Sequence, residues 1–354
     1  MQQSYPIKVK EVRKETSSCV SIELDIPEDL KPAFQYKPGQ YINLIKTVNG
    51  EELHRSYSLC SSPQDHKWRV AVKLLEGGAF STYANRDLKA GDILEVMPPN
   101  GKFTVPIDPA QSHSYLFVAA GSGITPCISL IRSILHHEPS STIRLIYGSR
   151  RTEEVIFLEE LEALKNIYMT RLSLYFVLSQ ESMEEEVFHG RIGAEKLRLF
   201  CGKLYEPKEL DGVFICGPEE MIFESKDEFE SQGINPDRIH FELFGTKGLP
   251  PVKSAGVSTP GSKVRVRLKA DGRTMNFEME SGKDNILDAA LRNKARLPYA
   301  CKGGVCCTCK AKLVEGEVDM LRNYGLEPDE VEAGYILTCQ AIPKSNEISV
   351  DYDQ

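Results

Sequence analysis

The sequence predicts a multidomain fold: an antiparallel β-barrel, then an α/β domain on a parallel sheet, then a small α+β unit. Three observations predict it. Over residues 1–107, short runs of alternating polarity are punctuated by Gly and Pro. Over 108–244, continuous apolar runs alternate with helical patterns. From 262 to 354, a strictly alternating strand precedes a short helical pattern and a dense group of cysteines. The 354 residues suffice for two or three ordinary cores.

In the first segment, residues 18–24, 40–44 and 69–73 read as half-buried strands. Turn signals at Pro38-Gly39, Asn49-Gly50, Gly77-Gly78 and Gly91-Asp92 separate them. That rhythm is the pattern of an antiparallel barrel.

In the second segment, apolar strands at 115–120, 143–147, 173–178 and 213–216 alternate with helical patterns at 126–137, 153–165, 194–201 and 219–231. Such alternation implies a parallel sheet covered by helices on both faces. Residues 245–261 form a Pro-stiffened, Gly- and Ser-bearing stretch that reads as a linker. Beyond it, residues 263–268 alternate strictly, and 286–293 read as a helix.

Four cysteines then carry the most specific chemistry. Cys301-x4-Cys306-x2-Cys309, with Cys339 far downstream, has the spacing of ligands to a [2Fe–2S] cluster. Two sulfide-bridged irons need four thiolates, and one tight loop supplies three. Its backbone must approach the sulfides, and Gly303 and Gly304 permit that. A structural zinc also accepts four thiolates, but zinc sites usually show two short cysteine pairs. Disulfides are the third reading. Cys307 is off the ligand spacing and reads as a small, partly buried residue. Cys19, Cys60, Cys127, Cys201 and Cys216 show no pairing logic, which suits free thiols in a reducing cytoplasm.

Other properties narrow the function. A net charge of −8 argues against a nucleic-acid partner. The first residues lack the apolar core of a signal peptide. The uncharged run at 114–131 is broken by Gly121, Gly123 and Pro126, so it reads as strand, turn and helix rather than a membrane span. No HExxH or carboxylate metal site is present, and the histidines read as surface or core residues. Glu327, Asp329, Glu330 and Glu332 form an acidic run that would steer a basic partner or simply stay solvated.

Two turns mark a nucleotide site. Gly121-Ser122-Gly123-Ile124-Thr125-Pro126 follows a strand and opens a helix, which offers amides and a helix start to a pyrophosphate. Cys216-Gly217-Pro218 ends another strand and would line the same edge of the sheet. Each alone suits an ordinary turn; together, upstream of an iron–sulfur loop, they point to a nicotinamide nucleotide. In the barrel, Arg55-Ser56-Tyr57-Ser58 offers a phosphate partner, a flat ring and a hydroxyl suited to a flavin. Gly77-Gly78-Ala79-Phe80-Ser81 offers a second phosphate cradle.

Taken in order, these motifs resemble the ferredoxin–NADP reductase family, in the branch with a C-terminal plant-type ferredoxin domain. The stretches 297–309 and 334–341 are most similar to the reductase subunits of bacterial ring-1,2-phenylacetyl-CoA epoxidases, which are multicomponent di-iron oxygenases. The resemblance implies a FAD-binding barrel, a NAD(P)-binding α/β domain and a β-grasp ferredoxin domain. It implies that Arg55 holds the FAD pyrophosphate, Tyr57 stacks on the isoalloxazine and Ser58 lies near N5. Ser56, Val72, Lys73, Gly78, Phe80 and Ser81 complete the FAD contacts. Phe244 would cover the other flavin face, and Thr125 and Cys216 would flank the nicotinamide. Gly121, Gly123, Thr125, Pro126, Gly217 and Pro218 would hold the nucleotide, and Cys301, Cys306, Cys309 and Cys339 the cluster. Cys307 departs from the alanine more usual there.

The function so implied is an NAD(P)H-dependent reductase that passes electrons through FAD and a [2Fe–2S] cluster to a di-iron oxygenase. Arg150 and Arg151, after the second strand, favour NADPH over NADH, since arginines suit a 2′-phosphate. Two alternatives stay open: a reductase for another aromatic-ring hydroxylase or dioxygenase, and a zinc-binding module without redox activity.

Overall fold

The computed structural model describes residues 4–245, 263–280, 282 and 284–354. These form two units, Ser4–Leu243 and Phe244–Gln354. The stretch read as a linker lies outside the described residues, apart from Gly245.

The first unit begins with an antiparallel sheet that closes on itself. It contains β1 (Tyr5–Thr16), β2 (Cys19–Asp25), β3 (Tyr41–Val48), β4 (Glu51–Ser58), β5 (Trp68–Lys73) and, after α1 (Ala79–Arg86), β6 (Ile93–Asn100). Their order is β4-β3-β6-β1-β2-β5. Just past β4, Leu59 bridges Val70 of β5 and joins the two edges into a barrel. Asn49 and Gly50 make the β3–β4 turn, with φ of 52° and 82°, as a two-residue hairpin loop of this type requires. Inward-facing Ile22, Ile42, Leu44, Val70 and Val96 are fully buried.

The α1 helix is an addition to the sequence reading, which saw only a glycine loop there. Phe80 and Ala84 on its inner face are buried in the barrel core. That packing supplies the stability an eight-residue helix lacks alone.

The same unit continues as an α/β layer. Strands β7 (Ser114–Ala120), β8 (Thr142–Ser149), β9 (Leu172–Leu178), β10 (Gly212–Cys216) and β11 (Ile239–Glu242) pair in parallel, in the order β11-β10-β7-β8-β9. The intervening helices are α2 (Ile124–His137), α3 (Leu158–Ile167), α4 (Ala194–Phe200) and α5 (Glu219–Ser231). The four predicted strands are all present. The helix expected from 153 starts only at Leu158. Glu153 and Glu154 lie in a separate short turn, and Val155, Ile156 and Phe157 are drawn into the core. Burial of that apolar triplet outweighs the acidic stretch that reads as a helix start.

The second unit holds β12 (Lys263–Ala270), β13 (Arg273–Glu280), α6 (Ile286–Arg292), β14 (Lys310–Glu315), β15 (Val318–Met320), α7 (Pro328–Glu332), β16 (Tyr335–Leu337), β17 (Ala341–Pro343) and β18 (Glu347–Asp351). The main sheet runs β13-β12-β18-β14-β16, with β12 and β18 parallel, and β15 pairs with β17. Ile286, Leu287, Ala289 and Ala290 of α6 pack on the sheet with Val264, Val266, Ile348 and Val350. A hairpin, a helix across the sheet and a strand returning to its centre make the β-grasp arrangement. Among the described residues, no helix is long and apolar enough to cross a membrane.

Candidate active site and cluster loop

The α/β sheet has its switch point between β7 and β10. From β7 the chain proceeds to β8 and β9 on one side, then crosses to β10 and β11 on the other. Ligands bind at the carboxyl ends of strands where the order reverses. Both glycine turns found in the sequence meet there. A side chain at Gly123 would place its Cβ 2.0 Å from the Cys216 carbonyl oxygen and 2.8 Å from the Gly217 nitrogen. A Cβ at Gly217 would meet Met221 at 2.6 Å and Ala120 at 3.2 Å. Gly123 must therefore lack a side chain for the two turns to approach, whereas at Gly217 the close neighbour is the movable end of Met221. Gly121, at φ +54°, exposes its α-carbon toward Lys73, whose Nζ would lie 3.5 Å from an added Cβ. Lys73 ends β5, so a barrel cation stands beside the Gly121 turn.

The other crevice residues are well anchored. Thr125 is buried and its Oγ1 donates to the Ser122 carbonyl at 2.9 Å. Pro126 stands in the first turn of α2, where its missing N–H costs nothing. Pro218 precedes α5 directly. Cys216 is fully buried, and burial, with the Glu242 carboxylate second, pushes its thiol well above the ordinary range. Arg150 and Arg151 follow β8 and are exposed. The neighbouring Thr152 donates its N–H and hydroxyl to Glu181 at 2.8 and 2.9 Å, which fixes the loop that carries them.

On the barrel, β4 presents Arg55, Ser56, Tyr57 and Ser58 in sequence. Arg55 is exposed and its Nη1 donates to the His54 carbonyl. Ser56 Oγ donates to Asn43 Oδ1 at 2.6 Å. The Tyr57 ring packs against Phe80 at 5.5 Å between centroids, and burial raises its phenol. Phe80, Val72 and Ser81 are buried. Ser81 Oγ accepts from the Leu75 N–H at 3.1 Å and bonds the Gly78 carbonyl. The Phe80 and Val72 side chains thus belong to the barrel core. A Cβ at Gly78 would fall 2.5 Å from Ser81 Oγ.

The sequence reading missed Glu242. Ser58 Oγ donates to Glu242 Oε2 at 2.7 Å, across 184 residues, joining the end of β4 to the end of β11. Burial pushes the Glu242 carboxyl up to about 7. A proton-holding acid therefore stands beside the serine and opposite Cys216 on the neighbouring strand. No local pattern marks it, because an acid among His240, Phe241, Leu243 and Phe244 reads as the polar position of a strand. Phe244 lies two residues past β11 and is 46% exposed.

Barrel and α/β layer are held by polar pairs. Arg69 of β5 grips Glu160 of α3 through two bonds of 2.5 and 2.8 Å. Arg132 of α2 grips Asp65 at 3.0 and 2.9 Å, and Ser129 donates to the Ser61 carbonyl.

In the second unit the four predicted ligands form two pairs. Cys301 and Cys306 exchange backbone contacts, each N–H reaching the other's sulfur at 3.4 Å, and Gly303 N–H points at Cys301 Sγ at 3.3 Å. Cys301 donates to Cys306 and lowers its thiol; Cys309 does the same for Cys339. None of the ten cysteines is in a disulfide. Among the described residues, no three metal-ligating side chains converge as a single ion requires. A two-iron cluster asks for something else: two thiolates on each iron, in adjacent pairs. The residues present fit it. Cys307 adopts φ +49° and turns its sulfur toward Gly325, where an added Cβ would lie 2.4 Å away. In the acidic run, Glu330 is taken up by Lys310 and by the Glu327 N–H.

Comparison with known proteins finds three domain families along the chain. The chain matches an oxidoreductase FAD-binding domain over residues 6–105, an oxidoreductase NAD-binding domain over 117–227 and a 2Fe-2S iron-sulfur cluster binding domain over 268–344. The last match decides for the cluster over zinc. The chain is 42% identical over 349 residues to one of the subunits of the 1,2-phenylacetyl-CoA epoxidase of Escherichia coli (strain K12), covering 99% of this chain and 98% of that one. It is 32% identical to the ferredoxin reductase component of 3-ketosteroid-9-alpha-monooxygenase from Rhodococcus rhodochrous, covering 99% and 97%. Among solved structures, phthalate dioxygenase reductase superposes with a TM-score of 0.61 at 26% identity, covering 98% of both chains. Three domain matches in this order, and relatives aligned over nearly their whole length, establish the chain as an oxidoreductase that carries FAD, a nicotinamide nucleotide and a [2Fe–2S] cluster: it belongs to the ferredoxin–NADP reductase family, in the branch with a C-terminal ferredoxin domain.

Proposed function

We propose that the protein is the reductase of a phenylacetyl-CoA epoxidase, delivering electrons from NADPH to its di-iron oxygenase component. The observation that carries this reading is the 42% identity to the Escherichia coli epoxidase protein across 99% of the chain. Residues 1–107 serve as the FAD barrel, 108–244 as the nicotinamide domain, 245–261 as the linker and 262–354 as the ferredoxin. A cytoplasmic location suits its free thiols.

When bound, FAD accepts a hydride from the nicotinamide and releases electrons singly to the [2Fe–2S] cluster. The chain's own residues do the placing. Arg55 and the amides at Gly78 and Ser81 hold the FAD phosphates, assisted by the α1 start. Tyr57, backed by Phe80, offers a flat face, with Phe244 for the opposite one. Gly121, Gly123, Thr125, Pro126, Gly217 and Pro218 shape the crevice that receives the nicotinamide beside Cys216. Ser58 and Glu242 hold a proton next to the flavin ring. Lys73 offsets pyrophosphate charge, and Arg150 and Arg151 receive a 2′-phosphate. Cys301, Cys306, Cys309 and Cys339 would hold the [2Fe–2S] cluster.

The test is reconstitution. The FAD- and cluster-loaded protein is mixed with purified phenylacetyl-CoA epoxidase oxygenase components, or with an aromatic-ring dioxygenase, and coenzyme oxidation is followed together with product. Coupled turnover with the epoxidase, faster with NADPH than NADH, is expected. Turnover only with the dioxygenase replaces the partner; a preference for NADH removes the role given to Arg150 and Arg151.

A further inference from the structure

Lys302, inside the cluster loop, is held in an unusual way. It adopts φ +50°, a left-handed conformation that strains a residue bearing a side chain. Glycine would be free there, so a lysine needs a reason. Its Nζ lies 2.8 Å from Asp288 Oδ1 and 4.7 Å over the Tyr299 ring centroid. Asp288 is itself fixed. Its second oxygen accepts from Asn285 Nδ2 at 2.8 Å, and its N–H donates to Asn285 Oδ1 at 2.8 Å. The carbonyl of Lys302 accepts from Gln340 Nε2 at 3.0 Å, and the same amide faces Cys339 Sγ at 3.8 Å. On the preceding residue of α6, Leu287 N–H donates to the Thr338 carbonyl at 3.1 Å. The first turn of α6 thus grips both ligand-bearing segments, one residue past Cys301 and one residue before Cys339.

We propose that Asp288 and Lys302 act as a charge clamp that sets the reduction potential and the retention of the [2Fe–2S] cluster. The inference rests on the ligand assignment above. The Lys302 ammonium favours the reduced, more negative cluster and the Asp288 carboxylate opposes it, so removing the lysine lowers the potential and removing the acid raises it, since net charge and exposure set such potentials. Asp288 keeps the ammonium in place, with Tyr299 beneath it. The two are positioning residues: neither touches iron.

The experiment compares Lys302→Gln, Asp288→Asn, the double variant and Lys302→Arg in the full FAD-loaded protein. The readouts are the cluster midpoint potential, by redox titration followed by electron paramagnetic resonance, and the rate of cluster loss under a chelator. Lys302→Gln is expected to lower the potential and speed cluster loss by about threefold. Asp288→Asn speeds loss similarly, the double variant is no worse than either single one, and Lys302→Arg restores both readouts. A merely structural pair would change unfolding temperature and leave the potential alone. An unchanged potential in Lys302→Gln, or additive losses in the double variant, overturns the clamp. A wild-type protein without a [2Fe–2S] signal would instead overturn the ligand assignment beneath it.

Discussion

The two redox sites of this chain are built on opposite principles. The cluster loop concentrates its chemistry: three of the four proposed cysteine ligands fall within nine residues, and the fourth follows in a later strand connection. The proposed flavin and nicotinamide site disperses it. Ser58, Lys73, Gly121, Gly123, Cys216 and Glu242 come from five strand ends and meet only because the barrel closes and the parallel sheet reverses its order. Metal–thiolate bonds demand a residue type. An organic cofactor bound without covalent bonds demands a shape, which backbone and glycines supply. The first requirement is written in sequence; the second is written in topology.

Three substitutions probe that contrast. The largest effect belongs to the concentrated site. Cys306→Ser should abolish the cluster, seen as loss of iron and of its absorption, while flavin content and NADPH-driven ferricyanide reduction persist. Loss of flavin as well would mean that the two sites are not separately built.

Next comes Gly123→Ala in the dispersed site. Its backbone needs no left-handed angle, at φ −62°, so the penalty is purely the approach to Cys216. The added methyl should destabilise the unit by about 1–3 kcal/mol, as overpacking does, and weaken NADP⁺ binding by at least about tenfold. Urea unfolding and NADP⁺ titration measure both; unchanged binding would break the close-approach argument.

The smallest effect concerns Glu242. Its carboxyl ionises at about 7 in the folded protein against an ordinary 4.5. The folded state therefore holds a proton that the unfolded state has released between these values. Stability contributed by this group is present below pH 4.5 and is lost as pH rises toward 7. Glu242→Gln should melt higher than the wild type above pH 7, with the gap closing toward pH 4.5. A gap that does not depend on pH would show that the acid is not buried as a proton holder.

The same contrast explains what the sequence disclosed. The parallel strands were readable because Phe117, Val118, Leu145 and Ile215 are buried on both faces and form unbroken apolar runs. The cysteine spacing was readable because it states ligands directly. The α1 helix was not, since Gly77-Gly78 signals a turn and only tertiary packing of Phe80 makes the following residues helical. The late start of α3 was hidden by Glu153 and Glu154. Glu242 had no signal at all: its partner Ser58 lies in another sheet, and no periodicity spans that distance. Gly123 was noticed for phosphate binding, whereas the structure assigns it first to the contact with Cys216.

The placement of β18 bears on how the cluster is acquired. This strand follows every cysteine ligand in the chain, yet it lies at the centre of the ferredoxin sheet between β12 and β14. Cys339, the proposed fourth ligand, precedes it by eight residues, with β17 between. A ribosome therefore releases the first three thiolates well before either the fourth ligand or the sheet that positions it exists. The loop has no finished coordination sphere to offer at that stage of synthesis. The fourth thiolate and the strand that completes the sheet are thus supplied by the same late stretch, from Cys339 through β18.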